Sequence, residues 1–481
     1  MNLIGAEIRN FYNYTEQISS THKKYSAELA KIPHYQRPFR WGKDQIEQLI
    51  LDWHEEHLKN VNDDTDKEKN YFAGTIVTVV DNENKVHQLI DGQQRITTLY
   101  LIKYISLLLK RVIMKQMAYK GRFPRIKEIA IPYLKDLKVL FTDNNNSFKQ
   151  IETKINHIFD EYVSLIEENK LDDEDSLNTL KKETYKLLML PDSSLESSAE
   201  KYEQEYLRKK NKLFDKILGA PKLSYDRSTY VESLKDALIH CTIIAGQNVE
   251  PKIITTELYA AEEEISDNIE VYLNALHAAF TTFNHIYLKH YASKIESDSQ
   301  SQDVLEKLYT LKDLVDSFLE EIKFCVVQTG DLDDAYVLFE VLNDRALALD
   351  DLELVKNIFY RNYVSDQKTK PSSKIDAVIQ SVDEQWVDKI FAGEGGGRSK
   401  LIAFLAISYI TGDSRLNPKD SKGFRHSIRE YLSAKGLNST ELKDYFNIFE
   451  IARIFLESFE VKLAGYNQQA LRSELSSNFE I

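Results

Sequence analysis

The sequence YFAGTIVTVVDNENKVHQLIDGQQRITTLYLI, residues 71–102, contains two strand patterns followed by a helix pattern. Tyr71–Val80 is rich in β-branched side chains, which favours a β-strand. The polar residues Asp81–Asn84 predict a turn. Lys85–Ile90 predicts a second strand, so that the two strands form a hairpin.

The hairpin is followed by a change from strand to helix at Asp91 and Gly92. Glycine interrupts a strand, and the apolar residues beyond it recur at intervals of three and four. This periodicity predicts a helix from Gln93 to about Met117. The pentapeptide Asp91–Arg95 therefore lies where a strand ends and a helix begins.

The rest of the chain is predicted to be mainly helical, because 481 residues contain only 16 glycines and 9 prolines. A strand signal returns at Phe324–Val327, and helices are predicted over Asp333–Asn343 and Asp351–Tyr363. Residues 1–30 mix polar and apolar side chains and predict either a helix or an extended arm.

These patterns predict an α+β fold, in which a small α/β domain carries a large and mostly helical insertion. The α/β domain is predicted in two parts, residues 1–117 and 321–360. The insertion comprises residues 118–320, and residues 361–481 form a helical C-terminal region.

The charge of the chain restricts its possible partners, because the net charge is −14. Such a chain does not attract DNA or an anionic membrane through its overall field, so DNA binding requires a local basic patch. The most apolar stretch, Ile96–Leu109, is too short to span a bilayer and contains Lys103. No signal peptide pattern opens the sequence, and a cytoplasmic protein is expected.

The pentapeptide combines residues that suit phosphate binding, because a helix N-terminus offers unpaired N–H groups and a partial positive charge. Gly92 lets a ligand approach the backbone, and Arg95 can hold two phosphate oxygens. Asp91 can hold a divalent metal or accept a proton, whereas Gln93 or Gln94 can orient a water molecule. The alternative is that Asp91 only caps the helix and that Arg95 lies on the surface.

A second candidate segment is Gln36–Trp41, in which two arginines alternate with aromatic residues and a proline. Pro33 and Pro38 exclude a regular helix, so Ile32–Trp41 is expected to be extended. Its composition suits phosphate binding together with stacking on nucleic-acid bases. The alternative is a structural segment in which Tyr35, Phe39 and Trp41 pack inside.

A third candidate segment, Phe339–Leu349, places polar residues at the end of a predicted helix. Asn343 and Arg345 can reach a phosphate, and Lys356 on the next helix can add a positive charge. The alternative is that these residues only terminate one helix while Asp351 caps the next.

Together the three segments resemble the N-terminal domain of GmrSD-type restriction proteins. The residues that carry the resemblance are, in chain order, Pro33-x-Tyr35-Gln36-Arg37-x-Phe39-x-Trp41, Phe72-x-Gly74-x-Ile76, Asp91-Gly92-Gln93-Gln94-Arg95-x-x-Thr98-Leu99 and Phe339-x-x-x-Asn343-x-Arg345 with Leu349 and Lys356. The match covers about residues 1–117 and 321–360. It implies a ParB-like fold for the α/β domain, which the family shares with phosphorothioation-sensing restriction proteins.

The resemblance also implies that a nucleoside triphosphate is bound and hydrolysed at the pentapeptide, with Mg²⁺ or another divalent cation at Asp91. The implied catalytic residues are Asp91, Gln93, Gln94 and Arg95. The residues implied to bind the nucleotide are Gly92, Gln36, Arg37, Arg40, Asn343, Arg345 and Lys356. One departure from the family is Ala346, where relatives usually have glycine, and it puts the shape of that turn in question.

A second departure concerns the nuclease domain that full-length relatives often carry, with its Asp-x-x-His-Ile-x-Pro signature. Nothing in this sequence fits that signature, and the only histidine beyond residue 360 is His426. The sequence is compatible with a relative that lacks a nuclease, with a subunit that acts beside one, or with a truncated chain.

Three functional hypotheses follow. The first is a restriction or phage-defence protein that hydrolyses a nucleoside triphosphate, senses modified or foreign DNA, and gates DNA binding or cleavage. The second is a nuclease that nicks DNA at the same pocket. The third is a non-catalytic switch that binds a nucleotide or DNA, which the acidic charge favours over the second because DNA cleavage usually requires a basic groove. Long helices also make a homo-oligomer plausible.

Overall fold

A computed structural model gives the backbone and side chains of most of the chain. The residues that the structure describes are 3–20, 31–33, 36, 39–62, 70–81, 86–143, 147–167, 174–188, 218–226, 228–245, 250–254, 267–292, 304–330, 335, 338, 351–367, 372–390 and 397–464. The chain divides into two units. Unit 1 comprises Met1–Pro33, Pro38–Tyr225 and Thr229–Phe339, and unit 2 comprises His34–Arg37, Asp226–Ser228 and Glu340–Ile481.

Unit 1 contains a six-stranded mixed sheet and two small two-stranded sheets. The described strands are β1 (Leu3–Asn10), β2 (Lys31–Ile32), β3 (Tyr71–Asp81), β4 (Val86–Asp91), β5 (Phe141–Asp143), β6 (Leu218–Pro221), β7 (Ser224–Tyr225), β8 (Thr242–Ile244), β9 (Lys252–Ile254) and β10 (Ile322–Thr329). The large sheet has the order β1-β10-β3-β4-β2-β7. Strands β3 and β4 pair antiparallel, which confirms the predicted hairpin, and β10 runs parallel to β3.

The first segment of the chain differs from the prediction of a helix or an arm, because it begins with strand β1. Strand β1 forms one edge of the sheet by pairing antiparallel with β10. The partner of Asn10 in this pairing is Lys323, far away in the sequence. Strand preference depends strongly on such neighbours, and a local pattern does not contain them.

The helices make up most of both units and confirm an α+β fold with a large helical region. In unit 1 they are α1 (Phe11–Ser20), α2 (Lys43–Asn62), α3 (Gln93–Tyr119), α4 (Phe123–Leu140), α5 (Ser147–Glu167), α6 (Glu174–Leu188), α7 (Ser228–His240), α8 (Asp267–His290) and α9 (Val304–Glu321). In unit 2 they are α10 (Asp351–Asp366), α11 (Ser372–Gln385) with a π-helical turn at Trp386–Ile390, α12 (Gly397–Thr411), α13 (Ser421–Lys435) and α14 (Ser439–Ala464).

Two of the predicted helices are confirmed with slightly longer ends, since α3 reaches Tyr119 and α10 reaches Asp366. The helix predicted over Asp333–Asn343 falls largely outside the described residues. None of the described helices is both long and apolar enough to cross a membrane.

Helix α3 is enclosed on all sides, because only Arg95 and Tyr119 of its 27 residues are not buried. Helices α4 and α9 pack extensively against it, with α8 and α6 also in contact. A helix that is covered all round needs apolar residues on every face, and the run Ile96–Leu109 supplies them. Much of the region between residues 118 and 320 therefore packs around the helix that carries the pentapeptide.

Two buried lysines on α3 take part in an ionic network with α4 and α9. The ammonium groups of Lys103 and Lys110 lie 2.6 and 2.7 Å from the two carboxylate oxygens of Asp136. Lys110 also lies 3.2 Å from Asp316. Burial opposes the ionisation of Asp316, but Lys110 and Lys103 outweigh it and lower the pKa of that carboxyl to about 2. The network therefore joins three helices through charged groups.

A second group of titratable side chains lies where α2 meets α8 and the end of α9. His57 Nδ1 lies 2.9 Å from a carboxylate oxygen of Glu321, and the His54 and His290 rings are 4.9 Å apart. Burial, together with the positive charges of His290, His57 and Lys289, lowers the pKa of His54 to about 4. His54 is therefore neutral in the folded protein near pH 7.

We expect Asp136→Asn to lower the free energy of unfolding by about 3–5 kcal/mol, because two buried ammonium groups lose the carboxylate they share. Urea denaturation measures this loss. Glu56→Gln, which removes the partner of exposed Lys59, is the matched control and should leave the midpoint unchanged. Equal midpoints for both variants would contradict a stabilising role for the network.

We expect stability to fall by up to about 3 kcal/mol between pH 6.5 and 4 because of His54. Above pH 6.5 the ring is neutral in both states, whereas between pH 6.5 and 4 only the unfolded chain takes up the proton. Asp316 contributes at lower pH, between 3.8 and about 2.

Urea midpoints measured across this pH range should show a shallower slope for His54→Leu than for the unsubstituted protein. Exposed His157 supplies the control, and His157→Gln should keep the original slope. An unchanged slope in His54→Leu would refute the assignment.

Candidate functional site

The pentapeptide lies at the junction predicted from the sequence. Strand β4 ends at Asp91, which pairs with Val77 of β3, and α3 begins at Gln93. Gly92 occupies the N-cap position with a φ of 84°, and no side chain caps the helix. The alternative in which Asp91 caps α3 is therefore wrong.

Gly92 packs directly against β3 at this turn. A Cβ atom at Gly92 would lie 2.8 Å from Cγ1 of Ile76, which is closer than such atoms approach. The positive φ also disfavours any residue with a side chain. Gly92 thus holds the first turn of α3 against the middle of β3.

Gln94 connects the pentapeptide to the second candidate segment. Its Oε1 accepts hydrogen bonds from the backbone N–H groups of Arg40 at 2.8 Å and Trp41 at 3.1 Å. Gln94 is buried, whereas the Arg40 side chain is exposed. The structure therefore brings residues 40–41 to the pentapeptide through their backbone N–H groups. The acceptor is the side-chain carbonyl of Gln94.

Phe39 is a core residue and is therefore not available to stack on nucleic-acid bases. It is only 3% exposed, and its ring stacks on Tyr272 at a centroid distance of 5.5 Å. Trp41 is partly buried against the same core. Tyr35 lies outside the described residues. Packing inside, the alternative for these aromatic residues, is thus confirmed for Phe39.

Arg95 is the residue of the α3 first turn that is not fully buried. Its Nη1 donates to the backbone carbonyl of Thr75 at 2.5 Å. Within the described part of the chain this is its one hydrogen bond, and the guanidinium has no carboxylate partner there. The Arg95 side chain is therefore a partly desolvated cation held by a neutral acceptor.

Gln93 differs from Gln94 in its hydrogen bonding. Its side chain is 6% exposed, and Oε1 receives no hydrogen bond from the residues that the structure describes. A buried carbonyl oxygen without a donor is costly and is rarely left so in folded proteins. The Gln93 oxygen is thus a buried acceptor for which the described residues supply no donor.

The remaining predicted residues fall into two groups. The first group lies outside the described residues and comprises Arg37, Asn343 and Arg345. Ala346, at which the sequence departs from the family, also lies outside them. Gln36 and Lys356 belong to unit 2, and both are buried. The Lys356 ammonium lies 3.9 Å from Asp383 and 5.8 Å from the centre of the Trp386 ring, two residues of unit 2.

A divalent cation was expected at Asp91, which is partly buried. Among the described residues, no three or more His, Cys, Asp and Glu side chains form a group that could hold a metal. Mg²⁺ needs fewer protein ligands, because it is usually held by one or two carboxylates together with phosphate and water oxygens. Asp91 is a donor that fits this mode of binding.

Three residues of β3 join the site without a role having been predicted for them. Gly74 and Thr75 contact Arg95, and Ile76 contacts Gly92. The signal in the sequence was Gly74 itself, since glycine inside a strand pattern often marks a bulge or a close approach.

Comparison with known protein families identifies the family of this chain. The comparison with curated proteins gives no match. Residues 16–360 match the family described as "GmrSD restriction endonuclease, N-terminal domain", over more than two thirds of the chain and all three candidate segments. This match supports a role in DNA restriction or phage defence, with DNA as the interacting partner. The chain therefore belongs to the GmrSD restriction endonuclease N-terminal domain family.

Proposed function

We propose that this protein hydrolyses a nucleoside triphosphate at Asp91–Arg95 and couples hydrolysis to the recognition of modified or foreign DNA. The observation that carries the proposal is the state of Arg95. Its guanidinium is partly buried, and its one hydrogen bond among the described residues goes to a backbone carbonyl. A cation without a carboxylate partner attracts an anion, and a guanidinium matches the paired oxygens of a phosphate.

The N-terminus of α3 supports phosphate binding at the same place. The helix has 27 residues, and no side chain caps its first turn. Its first N–H groups and its partial positive charge therefore favour an anion at Gly92. Arg95 and the helix terminus would act together on the negative charge that develops during phosphoryl transfer.

The two glutamines would have different tasks in this reaction. Gln93 would orient the attacking water by accepting a hydrogen bond at its buried Oε1. It is not a base, because an amide takes up no proton near neutral pH. Gln94 would support the site by holding residues 40–41. Asp91 would accept the proton of the water or hold Mg²⁺, which would neutralise phosphate charge when bound.

DNA recognition would be local, because the net charge of −14 opposes a general attraction to DNA. Nucleotide hydrolysis would then gate DNA binding or the action of a nuclease, which would be a partner subunit or a further domain. Nucleotide hydrolysis assays with and without modified DNA test this coupling.

We expect Arg95→Ala to reduce phosphate release by about 10²–10³-fold, because the developing charge loses its main side-chain donor. Asp91→Ala should also lose activity. Arg125→Ala, on the exposed face of α4, is the control and should match the unsubstituted protein. The measurement is phosphate release from each of the four nucleoside triphosphates, with and without modified DNA.

Activity equal to that of the unsubstituted protein in both Arg95→Ala and Asp91→Ala would reject the site. Two other outcomes would favour different functions. Plasmid nicking by the chain alone, lost in Asp91→Ala, would indicate a nuclease. Tight nucleotide binding without turnover would indicate a switch.

We expect Gln94→Leu to lower stability and Gln93→Leu not to lower it. Gln93→Leu removes a buried carbonyl without a donor, so the urea midpoint should be kept or raised while phosphate release is lost. Gln94→Leu leaves the N–H groups of Arg40 and Trp41 without their acceptor and should cost about 1–3 kcal/mol. A Gln93→Leu protein as unstable as Gln94→Leu would contradict the separate tasks.

A further inference from the structure

The guanidinium of Arg95 lies against a bulge in strand β3. Between the pairs Phe72–Lys323 and Thr75–Cys325, β3 advances by three residues while β10 advances by two. The additional residue of β3 is therefore in the segment between Phe72 and Thr75. Bulges bend a strand and are frequent beside active sites, where they redirect nearby groups.

The end of the pairing between β3 and β4 leaves a backbone acceptor of β3 to α3. The pairing of β3 with β4 ends at Val77 and Asp91, so Thr75 lies beyond that ladder. The chain turns at Gly92 and begins α3, and Arg95 from the first turn reaches the Thr75 carbonyl. Arg95 thereby occupies the place beside β3 where a continued β4 would otherwise run.

Gly74 forms the surface on which the guanidinium rests. Its φ is +101°, which residues with a side chain rarely adopt. A Cβ atom at this position would lie 3.3 Å from Cζ of Arg95 and 3.5 Å from both terminal nitrogens. A side chain at residue 74 would therefore crowd Cζ of Arg95 and touch both terminal nitrogens, so the guanidinium would have to shift by a few tenths of an ångström.

We propose that Gly74 is a positioning residue, which sets the place of the Arg95 guanidinium and so the place at which a phosphate group is bound. This inference rests on the proposed phosphate site. Glycine is required at residue 74 for the catalytic geometry, whereas Gly92 is required for the fold, because the atoms nearest a Cβ at Gly92 belong to Ile76.

The test compares Gly74→Ala with Gly121→Ala. Gly121 also has a positive φ of +68°, but a Cβ atom there would meet nothing within 4 Å. The control therefore also places a side chain at a positive φ, but without contact with Arg95. Gly74→Ala should lose more stability than Gly121→Ala, because a φ of +101° lies outside the left-handed region that residues with a side chain can adopt. Only Gly74→Ala should lose at least about tenfold in kcat/KM for nucleotide hydrolysis, because small misplacements of catalytic groups are costly.

A double-mutant cycle with Arg95→Ala shows whether Gly74 acts through Arg95. In the Arg95→Ala protein, adding Gly74→Ala should cause no further loss of activity, although its effect on stability persists. An equal loss of activity in both backgrounds would overturn the proposal, and so would normal activity of Gly74→Ala.

Pyrophosphate binding separates this inference from the hydrolysis proposal, because it needs no turnover. The shift in thermal unfolding temperature with pyrophosphate should be kept in Gly121→Ala and lost in Gly74→Ala and Arg95→Ala. If the protein hydrolyses no nucleotide but shows this pattern, the proposed function fails and the role of Gly74 stands. If the Gly74→Ala shift equals that of Gly121→Ala, the role of Gly74 fails.

Discussion

The contact between Gly92 and the Ile76 side chain determines where helix α3 begins relative to the sheet. The 2.8 Å approach of a Cβ atom leaves room for hydrogen alone, so the turn lies directly on β3. The position of this turn then determines which residues the next positions of the helix contact. Gln94 meets the backbone of residues 40–41, and Arg95 meets the carbonyl of Thr75.

Helix α3, which carries Gln93, Gln94 and Arg95, is enclosed by the elements packed around it. Helices on all sides cover it, and Lys103 and Lys110 attach it to α4 and α9 through Asp136 and Asp316. Groups carried by packed helices and strands are held more precisely than groups on loops. The helical region between residues 118 and 320 thus helps to hold the pentapeptide in position, although it supplies none of the predicted site residues.

The adjacent residues Gln93 and Gln94 show how helix geometry divides tasks between identical side chains. Successive positions of an α-helix point about 100° apart, so neighbours in the sequence meet different surroundings. The side-chain oxygen of Gln94 accepts hydrogen bonds from two backbone N–H groups, whereas the side-chain oxygen of Gln93 has no donor among the described residues. One glutamine therefore joins two segments of the chain, whereas the oxygen of the other is a buried acceptor without a donor among the described residues.

The sequence by itself determined the β3–β4 hairpin, the beginning of α3 and the position of the pentapeptide between them. These features depend on β-branched residues, helical periodicity and one glycine, all within a few residues of each other. Tertiary structure alone decided that β1 is an edge strand, that Phe39 is a core residue and that Arg95 lies on the bulge at Gly74. Each of these outcomes depends on a partner distant in the sequence, and local patterns carry no information about such partners.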